Sequence, residues 1–396
     1  MDLTIQPRLL RGEVSVIPSK SQAHRLLICA AFADNLTQLR CPDTSQDIEA
    51  TAQCLRSLGA QIIRTDSGYS IFPITDVPKT AVLNCHESGS TLRFLLPVCG
   101  ALGVETTFVM EGRLSQRPLS PLWEEMKRMG CTLSRPSEST ILCTGKLKPG
   151  NYRIDGSVSS QYITGLMLAL SVMNEHSNLE ITGTVESKPY IALTCDVLSL
   201  FGADPDSPGS FQLHSPGYIC VEGDWSNGAF FLAADALGSH LSISGLNENS
   251  SQGDRIIGEL LPKLKSETPV ISVADIPDLV PILSVVAACN HGAVFTQIRR
   301  LRFKESDRVA SVISMIESLG GCAWATEDTL TVAGSSLIGG TVDCMNDHRI
   351  AMAAAIAATV CKKTVTLLGA EAVQKSYPRF WEEYANLGGK YEQHLR

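Results

Sequence analysis

The chain has 396 residues, of which 44% are hydrophobic and 19% charged, and its formal net charge is −8. Because this length exceeds one ordinary hydrophobic core, we expect a globular protein of two domains. The acidic balance excludes a general nucleic-acid binder, which needs a basic surface, but it allows local clusters of cations that bind small anions.

The targeting and cysteine patterns favour a cytoplasmic protein. The first residues, MDLTIQPRLLRGEV, lack the basic and apolar segments of a signal peptide. The longest apolar run, residues 350–361, is well short of the roughly 20 residues that span a bilayer, and it predicts a buried helix. The 13 cysteines include no C-x-x-C pair. We therefore expect buried free thiols, with neither a disulfide framework nor a zinc site.

Six apolar segments, each following a short polar cluster, recur along the chain. Anchored on one polar residue each, they are separated by 69, 69, 68, 51 and 69 residues. The anchors are Ser21, Ser90, Ser159, Asn227, Asp278 and Asp347. Each segment is hydrophobic nearly all round, which is typical of a buried helix, and begins with a residue type that caps helix N-termini.

Strand-like and amphipathic segments lie between these six. The strand-like runs, in chain order, are residues 69–74, 106–110, 139–144, 179–185, 241–246, 329–334 and 364–369. Amphipathic helices are predicted at residues 47–60, 120–131, 190–203, 254–264, 307–321 and 378–388. The pattern predicts six βαβ-like units grouped as two α/β domains of three, with a boundary near residues 219–226.

This arrangement has a chemical consequence. A helix N-terminus presents unpaired N–H groups and roughly half a positive charge. If the N-termini of several buried helices point into one cleft, that cleft attracts anions. The alternative is a repetitive α/β scaffold that has no shared site.

The polar clusters of the first half favour anion or polyol contacts. PSKSQAHR (18–25) places Lys20, Ser21 and Arg25 at a helix start, which fits a phosphate contact or a capped helix with a surface lysine. ESGSTLR (87–93) contains Gly89, which would let a ligand approach the backbone closely. Arg117 precedes a proline in an extended segment.

Two further clusters lie at predicted helix starts of the same half. The first, SVSSQYITG (157–165), offers Ser159, Ser160 and Gln161, which suit an oxyanion or a polyol. The second, SKPYIA (187–192), adds Ser187 and Tyr190.

The second half combines carboxylates with cations. Asp278 lies between apolar residues, where burial is expected to raise its pKa as a general base requires, although a helix cap is the alternative. In RRLRFKESDR (299–308), Arg308 opposes the dipole of the helix that it begins, which suggests a ligand that balances the charge. Arg349, in NDHRIAM (346–352), is a candidate anion clamp, and Lys375 precedes an X-Pro segment.

These motifs together resemble the enolpyruvyl transferase family. The residues that carry the resemblance run in the family's order: PSKSQAHR, SGSTLR, Arg-Pro at 117–118, SSQY, PDL, RFKESDR, NDHRIAM and KSYPRF. The resemblance implies an α/β fold of two similar domains, each of three βαβαββ units (an inside-out α/β barrel), with the active site in the interdomain cleft. We place the domains at 1–13 plus 222–396 and at 14–221.

The resemblance also implies the reaction. The enolpyruvyl group of phosphoenolpyruvate (PEP) would pass to the 5-hydroxyl of shikimate 3-phosphate through a tetrahedral intermediate, with release of phosphate. These two small molecules would be the only partners of a cytoplasmic monomer, with no nucleic acid and no membrane. Neither a metal nor any other cofactor is implied.

The matched positions imply roles for individual residues. Asp278 would be the base, and Glu305 or Lys20 the acid that protonates the PEP carbon. The contacts to shikimate 3-phosphate would be Lys20, Ser21, Arg25, Ser159, Ser160, Gln161, Ser187, Tyr190, Asp278 and Lys304. The contacts to PEP would be Lys20, Gly89, Arg117, Gln161, Arg308, Arg349 and Lys375.

The chain departs from the family pattern in one loop and at Arg300, which stands where many members have an asparagine that contacts shikimate 3-phosphate. Two rival functions stay open. HESGSTLRF stands where the family has close to GNAGTxxRP, so Glu87 would lie near a phosphate. One rival is the sister enzyme that acts on UDP-N-acetylglucosamine, which carries a reactive cysteine where this chain has Gly112. The other is a non-catalytic anion-binding relative, against which the carboxylates Asp278 and Glu305 argue.

Overall fold

The computed structural model describes residues 1–173, 175–205 and 212–394. The chain divides into two compact units, Met1–Ile17 with Gly223–Arg396, and Pro18–Glu222. We call the first the split unit and the second the continuous unit. The domain limits given above, 1–13 plus 222–396 and 14–221, stay a prediction.

The six predicted apolar helices are confirmed, three in each unit. They are α1 (Lys20–Ala31), α3 (Gly89–Leu102), α5 (Ser160–Met173), α7 (Trp225–Ala236), α9 (Val280–Ala288) and α11 (His348–Ala358). The amphipathic helices alternate with them, also as predicted. They are α2 (Gln46–Ser57), α4 (Leu122–Arg128), α6 (Lys188–Leu200), α8 (Ile257–Ser266), α10 (Arg308–Ser318) and α12 (Phe380–Asn386).

Each unit contains two four-stranded sheets and a parallel strand pair among its described residues. The strands of the split unit are β1 (Asp2–Gln6), β2 (Arg11–Ser15), β13 (His240–Ser244), β14 (Val270–Ser272), β15 (Gly292–Thr296), β16 (Cys322–Ala325), β17 (Thr329–Ala333), β18 (Gly340–Asp343), β19 (Val365–Leu368) and β20 (Lys390–His394). The strands of the continuous unit are β3 (Thr37–Arg40), β4 (Gln61–Thr65), β5 (Gly68–Phe72), β6 (Thr80–Asn84), β7 (Glu105–Val109), β8 (Cys131–Ser137), β9 (Thr140–Gly145), β10 (Asn151–Asp155), β11 (Asn178–Thr182) and β12 (Tyr218–Cys220).

The repeated unit is a parallel pair joined through a core helix, followed by an amphipathic helix and a hairpin. In the continuous unit this βαβαββ order runs through β6, α3, β7, α4, β8 and β9, with sheet order β6-β7-β9-β8. In the split unit it runs through β14, α9, β15, α10, β16 and β17, with sheet order β14-β15-β17-β16. In both sheets the first two strands are parallel and the remaining pairs antiparallel.

The strands alternate buried and exposed residues, whereas the core helices are buried on nearly all sides, so the sheets enclose the helices. In the continuous unit α3 packs on α5, and in the split unit α9 packs on α11. Every residue of α11 is buried, which confirms the helix predicted from residues 350–361. Among the described residues, no helix combines the length and the apolar character needed to cross a membrane.

All 13 cysteines are free thiols, as predicted. Nine of them are buried, and the two that are fully exposed, Cys220 and Cys322, depart from the expectation of burial. Burial raises the pKa of the Cys29 thiol to about 12, so this thiol stays protonated and packs as a small apolar group.

The cap positions differ in part from the sequence anchors. Asp347 caps α11 as expected, but Ser19 caps α1 and Ser88 caps α3, two residues before their anchors. Asp278 is not the N-cap of α9, because α9 begins at Val280 and its N-cap position is Leu279. The helix-cap interpretation of Asp278 is therefore wrong, and its carboxylate is available for other partners.

Candidate active-site residues of the two units

In the continuous unit, the first turn of α1 holds Lys20 against a carboxylate. The Lys20 Nζ lies 2.7 Å from the Asp47 Oδ2, and both side chains are about 15% exposed. Asp47 lies in the first turn of α2, where a negative charge is stabilised by the helix dipole. Sequence patterns do not predict this pairing, since acids in a first helical turn are common.

Arg25 is almost fully buried and ties α1 to two neighbouring helices. Its Nε donates to the Thr194 hydroxyl and its Nη1 to the Ser21 carbonyl, while its Nη2 donates to the Thr164 hydroxyl and the Tyr190 carbonyl. Burial lowers the pKa of Arg25 to about 10, so its charge persists at neutral pH although these four acceptors are neutral.

Two arginines lie directly over the backbone at the start of α3. A Cβ added to Gly89 would be 2.8 Å from the Arg117 Nη1 and 2.9 Å from the Arg93 Nη1, so this close approach requires glycine. Arg93 donates to the Gln161 Oε1 at 2.7 Å, and the Gln161 Nε2 donates to the Ser90 hydroxyl at 3.0 Å. The N-terminus of α3 and two guanidinium groups therefore combine into one cationic corner.

The remaining predicted residues of the continuous unit lie at the starts of α5 and α6. The Ser159 Oγ accepts the backbone N–H of Gln161, and Ser160 is buried. Ser187 takes a left-handed backbone conformation, φ 56° and ψ 41°, at the residue before α6. Such a conformation is costly for a residue with a Cβ and is found preferentially at binding sites.

In the split unit, one fully buried guanidinium binds three carboxylates. The Arg308 Nε lies 3.0 Å from the Asp347 Oδ2, its Nη1 lies 2.8 Å from the Asp278 Oδ1, and its Nη2 lies 2.6 Å from the Glu305 Oε2. Asp347 is fully buried and also accepts the Ser306 hydroxyl at 3.0 Å. These five residues, with Lys304 and Arg349, are called the carboxylate cluster below.

Asp278 is the branch point of the carboxylate cluster. Besides Arg308, its carboxylate meets the Arg349 Nη2 at 3.0 Å and the Lys304 Nζ at 3.6 Å. Burial acts to raise the pKa of Asp278, but Arg349, Lys304 and Arg308 together hold that pKa well below the usual value. The raised pKa expected from the apolar sequence context is therefore wrong, because three cations distant in sequence surround the carboxylate.

Two lysines complete the predicted set. Burial lowers the pKa of Lys304 to about 8, although the charges of Asp278 and Glu305 oppose that shift. Lys375 is 7% exposed and its Nζ donates to the Asn346 carbonyl at 2.7 Å. Asn346 itself has a left-handed φ of 53° in the loop before α11.

The structure thus joins the predicted residues into groups within each unit. Asp278, Lys304, Glu305, Arg308 and Arg349 contact one another directly. Gly89, Arg117 and Gln161 meet through Arg93, to which the resemblance gave no role. Asp47 and Asp347, the carboxylates that hold Lys20 and Arg308, were missed because their partners lie 27 and 39 residues away in sequence.

Comparisons with known proteins show which family the chain is similar to over nearly its whole length. A family model described as EPSP synthase (3-phosphoshikimate 1-carboxyvinyltransferase) matches residues 5–384. A relative from Clostridium kluyveri, named 3-phosphoshikimate 1-carboxyvinyltransferase, is 38% identical over 418 residues, covering 99% of this chain and 98% of its own. Its namesake from Clostridioides difficile is 35% identical, with coverage of 99% and 98%.

Solved structures share the fold. An EPSP synthase from Acinetobacter baumannii superimposes with a TM-score of 0.79 at 22% identity, covering 99% of this chain and 100% of its own. The enolpyruvyl transferase NikO from Streptomyces tendae gives a TM-score of 0.76 at 18% identity, covering 100% and 99%. At these identities the likeness establishes the two-domain α/β architecture.

Proposed function

The chain belongs to the EPSP synthase family, and on that premise we propose that its two groups of site residues carry enolpyruvyl transfer. The reaction moves the enolpyruvyl group of PEP to the 5-hydroxyl of shikimate 3-phosphate and releases inorganic phosphate. The chain is accordingly an enzyme, a transferase of the shikimate pathway. The observation that carries the proposed site is the carboxylate cluster, in which carboxylates and cations alternate around one buried guanidinium.

The chemistry needs cations, a base and an acid. Both substrates carry a phosphate and a carboxylate, so guanidinium and ammonium groups would bind and orient them. The base takes the proton of the attacking hydroxyl as its oxygen bonds to C2 of PEP, and the acid protonates the methylene carbon. The tetrahedral intermediate then loses phosphate and returns a methyl proton to the conjugate base of the acid, which restores the C=C double bond as the enol ether of the product.

Asp278 is the proposed base. Its depressed pKa means that the carboxylate is ionised and ready to accept a proton, but weakly basic. An anionic substrate that draws Arg349 and Lys304 toward itself would remove part of the stabilisation of this carboxylate. The basicity of Asp278 would then rise when substrate is bound. Glu305 and Lys20 remain the two candidates for the acid.

The binding residues are proposed in the same way. For shikimate 3-phosphate they are Lys20, Ser21, Arg25, Ser159, Ser160, Gln161, Ser187, Tyr190, Asp278 and Lys304. For PEP they are Lys20, Gly89, Arg117, Gln161, Arg308, Arg349 and Lys375. Arg93 joins the second set, because its guanidinium packs on Gly89 beside that of Arg117. That the protein is a cytoplasmic monomer stays a prediction.

The sister reaction with UDP-N-acetylglucosamine is not favoured. The backbone of Gly112 has φ +52°, and a Cβ there would be 2.6 Å from the Glu87 Cδ and 2.7 Å from its Oε2. The Glu87 carboxyl therefore fills the space that a cysteine side chain at position 112 would need.

The deciding experiment measures phosphate release from PEP with and without shikimate 3-phosphate. Release that depends on shikimate 3-phosphate is expected, and UDP-N-acetylglucosamine should not replace it. Absence of release under every condition would leave the chain a non-catalytic relative. Glu305→Gln tests the acid, since full activity of that variant would remove Glu305 from the role.

A further inference from the structure

Asp254 is a buried carboxyl group to which the reaction assigns no role. It lies in a 3₁₀ turn, Gly253–Ile256, directly before α8, and it is 2% exposed. The Ser226 hydroxyl, in the first turn of α7, donates to its Oδ2. Its Oδ1 is buried without a hydrogen-bond partner among the described residues. Both oxygens of a buried carboxylate normally accept hydrogen bonds. Because Oδ1 of Asp254 accepts none from the described residues, this environment favours the neutral carboxyl group.

The charged groups that act on Asp254 lie at or just before the starts of core helices. Asp278, Arg349 and Asp224 act on it electrostatically, whereas Arg255 of its own turn and Glu259 of α8 are exposed. Burial and then the charge of Asp278 raise the pKa of Asp254 to about 7, and Arg349 and the Ser226 hydrogen bond oppose the rise. Asp254 is therefore expected to change its charge near neutral pH.

The charges of the carboxylate cluster are balanced. Three cations, Lys304, Arg308 and Arg349, face three carboxylates, Asp278, Glu305 and Asp347. A neutral Asp254 leaves this balance intact. An ionised Asp254 would add one negative charge that acts on Arg349 and Asp278 from a buried position, where a unit charge acts strongly.

We propose that Asp254 is a positioning residue that acts through Arg349 and sets the charge of the carboxylate cluster. While Asp254 carries its proton, Arg349 turns to an anionic substrate. Once that proton is lost, the Asp254 carboxylate competes for Arg349, and the cluster binds the anion more weakly. This inference rests on the proposed function, because the anion concerned is PEP.

The test is the pH dependence of KM for PEP at saturating shikimate 3-phosphate. For the wild type we expect KM to rise about tenfold from about pH 6 to about pH 8, with kcat changing much less. Asp254→Asn has the shape of the neutral carboxyl and cannot ionise, so its KM should stay flat through that range. Any later rise from the loss of the Lys304 proton should remain in both proteins. Glu259→Gln, which removes an exposed carboxylate of α8, should behave like the wild type.

A second variant tests the inference in the opposite direction. Ser226→Ala removes the hydrogen bond that favours ionised Asp254, so the rise in KM should move to higher pH. If Asp254→Asn fails to fold, the KM profile of Ser226→Ala tests the inference. Identical KM profiles for the wild type and the variant that folds would overturn the inference.

Failure of the proposed function would be recognised separately, as absence of phosphate release at every pH. The role of Asp254 would then be measured through thermal protection by excess inorganic phosphate. Protection that weakens above about pH 7 in the wild type but not in Asp254→Asn supports the inference, and equal behaviour overturns it.

Discussion

The two units hold their buried arginines by opposite means. In the split unit, Arg308 is fully buried and binds three carboxylates. In the continuous unit, Arg25 is 2% exposed, and its hydrogen bonds go to hydroxyl and carbonyl oxygens. It also lies over the Phe94 ring, 5.0 Å from the centroid. Within the described residues, no carboxylate lies at ion-pair distance from Arg25.

The two units therefore compensate the charge of a buried cation in different ways, although their architectures are similar. The split unit neutralises its cations internally, which places carboxylates where protons can be exchanged. The continuous unit keeps the charge of Arg25 uncompensated by any near carboxylate, which favours the arrival of an anion. The repeat allows both arrangements, because each unit has its own helix starts: Arg25 lies in α1 and Arg308 begins α10.

The largest expected effect is on the free energy of unfolding when either of the two buried arginines is replaced. Arg308→Met leaves Asp347 and Asp278 buried without their central partner, so we expect a loss of about 3–5 kcal/mol in the free energy of unfolding. Arg25→Met leaves only neutral acceptors without a donor, and we expect a loss of about 1–3 kcal/mol. Denaturant unfolding of both variants measures the difference. Equal losses of stability in the two variants would contradict the difference proposed between the two arginines.

Arg299 supplies the matched control. It is 65% exposed and pairs with Glu327 and Asp328 on the surface. Arg299→Gln should therefore change the unfolding free energy by less than about 0.5 kcal/mol.

Asp278→Asn tests whether the split unit supplies the base of the reaction. We expect kcat to fall by about 10²–10⁴ because the amide cannot take a proton. The KM for PEP should stay constant or fall, since one negative charge has left the cations. A similar change at the exposed Asp328 should have no effect on rate. If Asp278→Asn kept kcat within a few-fold of the wild type, the base would lie elsewhere.

Gly89→Ala tests whether the start of α3, in the continuous unit, binds the anionic substrate. The added Cβ would displace the ends of the Arg117 and Arg93 side chains, which are flexible, so the fold should survive. We expect KM for PEP to rise about tenfold, with the unfolding free energy changed by less than about 1 kcal/mol. Gly258→Ala is the control, because a Cβ at that helical glycine meets no atom within 4 Å. An unchanged KM would show that Gly89, Arg93 and Arg117 do not contribute to PEP binding.

The smallest expected effect concerns His24, which is fully buried in α1. Its Nδ1 lies 2.7 Å from the Thr51 hydroxyl, which contacts the Thr91 hydroxyl at 2.7 Å, and Thr91 donates to the α3 cap Ser88. Burial, with Lys20 and then Arg25, holds the pKa of His24 well below its usual value. The unfolded chain therefore binds a proton that the folded chain does not, and stability is lost as pH falls below about 6.5.

The loss attributable to His24 should approach about 1.4 kcal/mol per pH unit in that window. His24→Gln should remove it from a plot of unfolding free energy against pH. His291→Gln, in an exposed turn, controls for the loss of a histidine. Parallel plots for wild type and His24→Gln would show that His24 is protonated in the fold.

The sequence predicted the secondary structure well because each element is specified locally. The apolar run at residues 350–361 could only be buried, and α11 is buried throughout. The strand-like run at residues 329–334 became β17, Thr329–Ala333, with alternating burial. Local patterns failed at Asp278, whose apolar neighbours suggested a raised pKa and whose position suggested a helix cap.

The candidate site was predicted as a set of residues but not as a set of contacts. The motifs around Glu305, Arg308 and Arg349 are contiguous in sequence, so the resemblance marked them directly. Their partners Asp347 and Asp47 belong to helix starts that look like ordinary capped or acidic first turns. Asp254 carried no signal, since an aspartate that begins a predicted amphipathic helix is normally exposed and does not reveal that folding will bury it.

By itself, the sequence determined the order of the helices and strands, the sixfold repeat and the family. These follow from hydrophobic periodicity, cap residues and motif spacing, all of which act between neighbours in the chain. Only the tertiary structure decided which carboxylate meets which cation, and therefore which of these groups are charged. Charge states depend on distances and burial, and Asp278 acquires its surroundings only when residues 30 and 71 positions away in sequence come together with it.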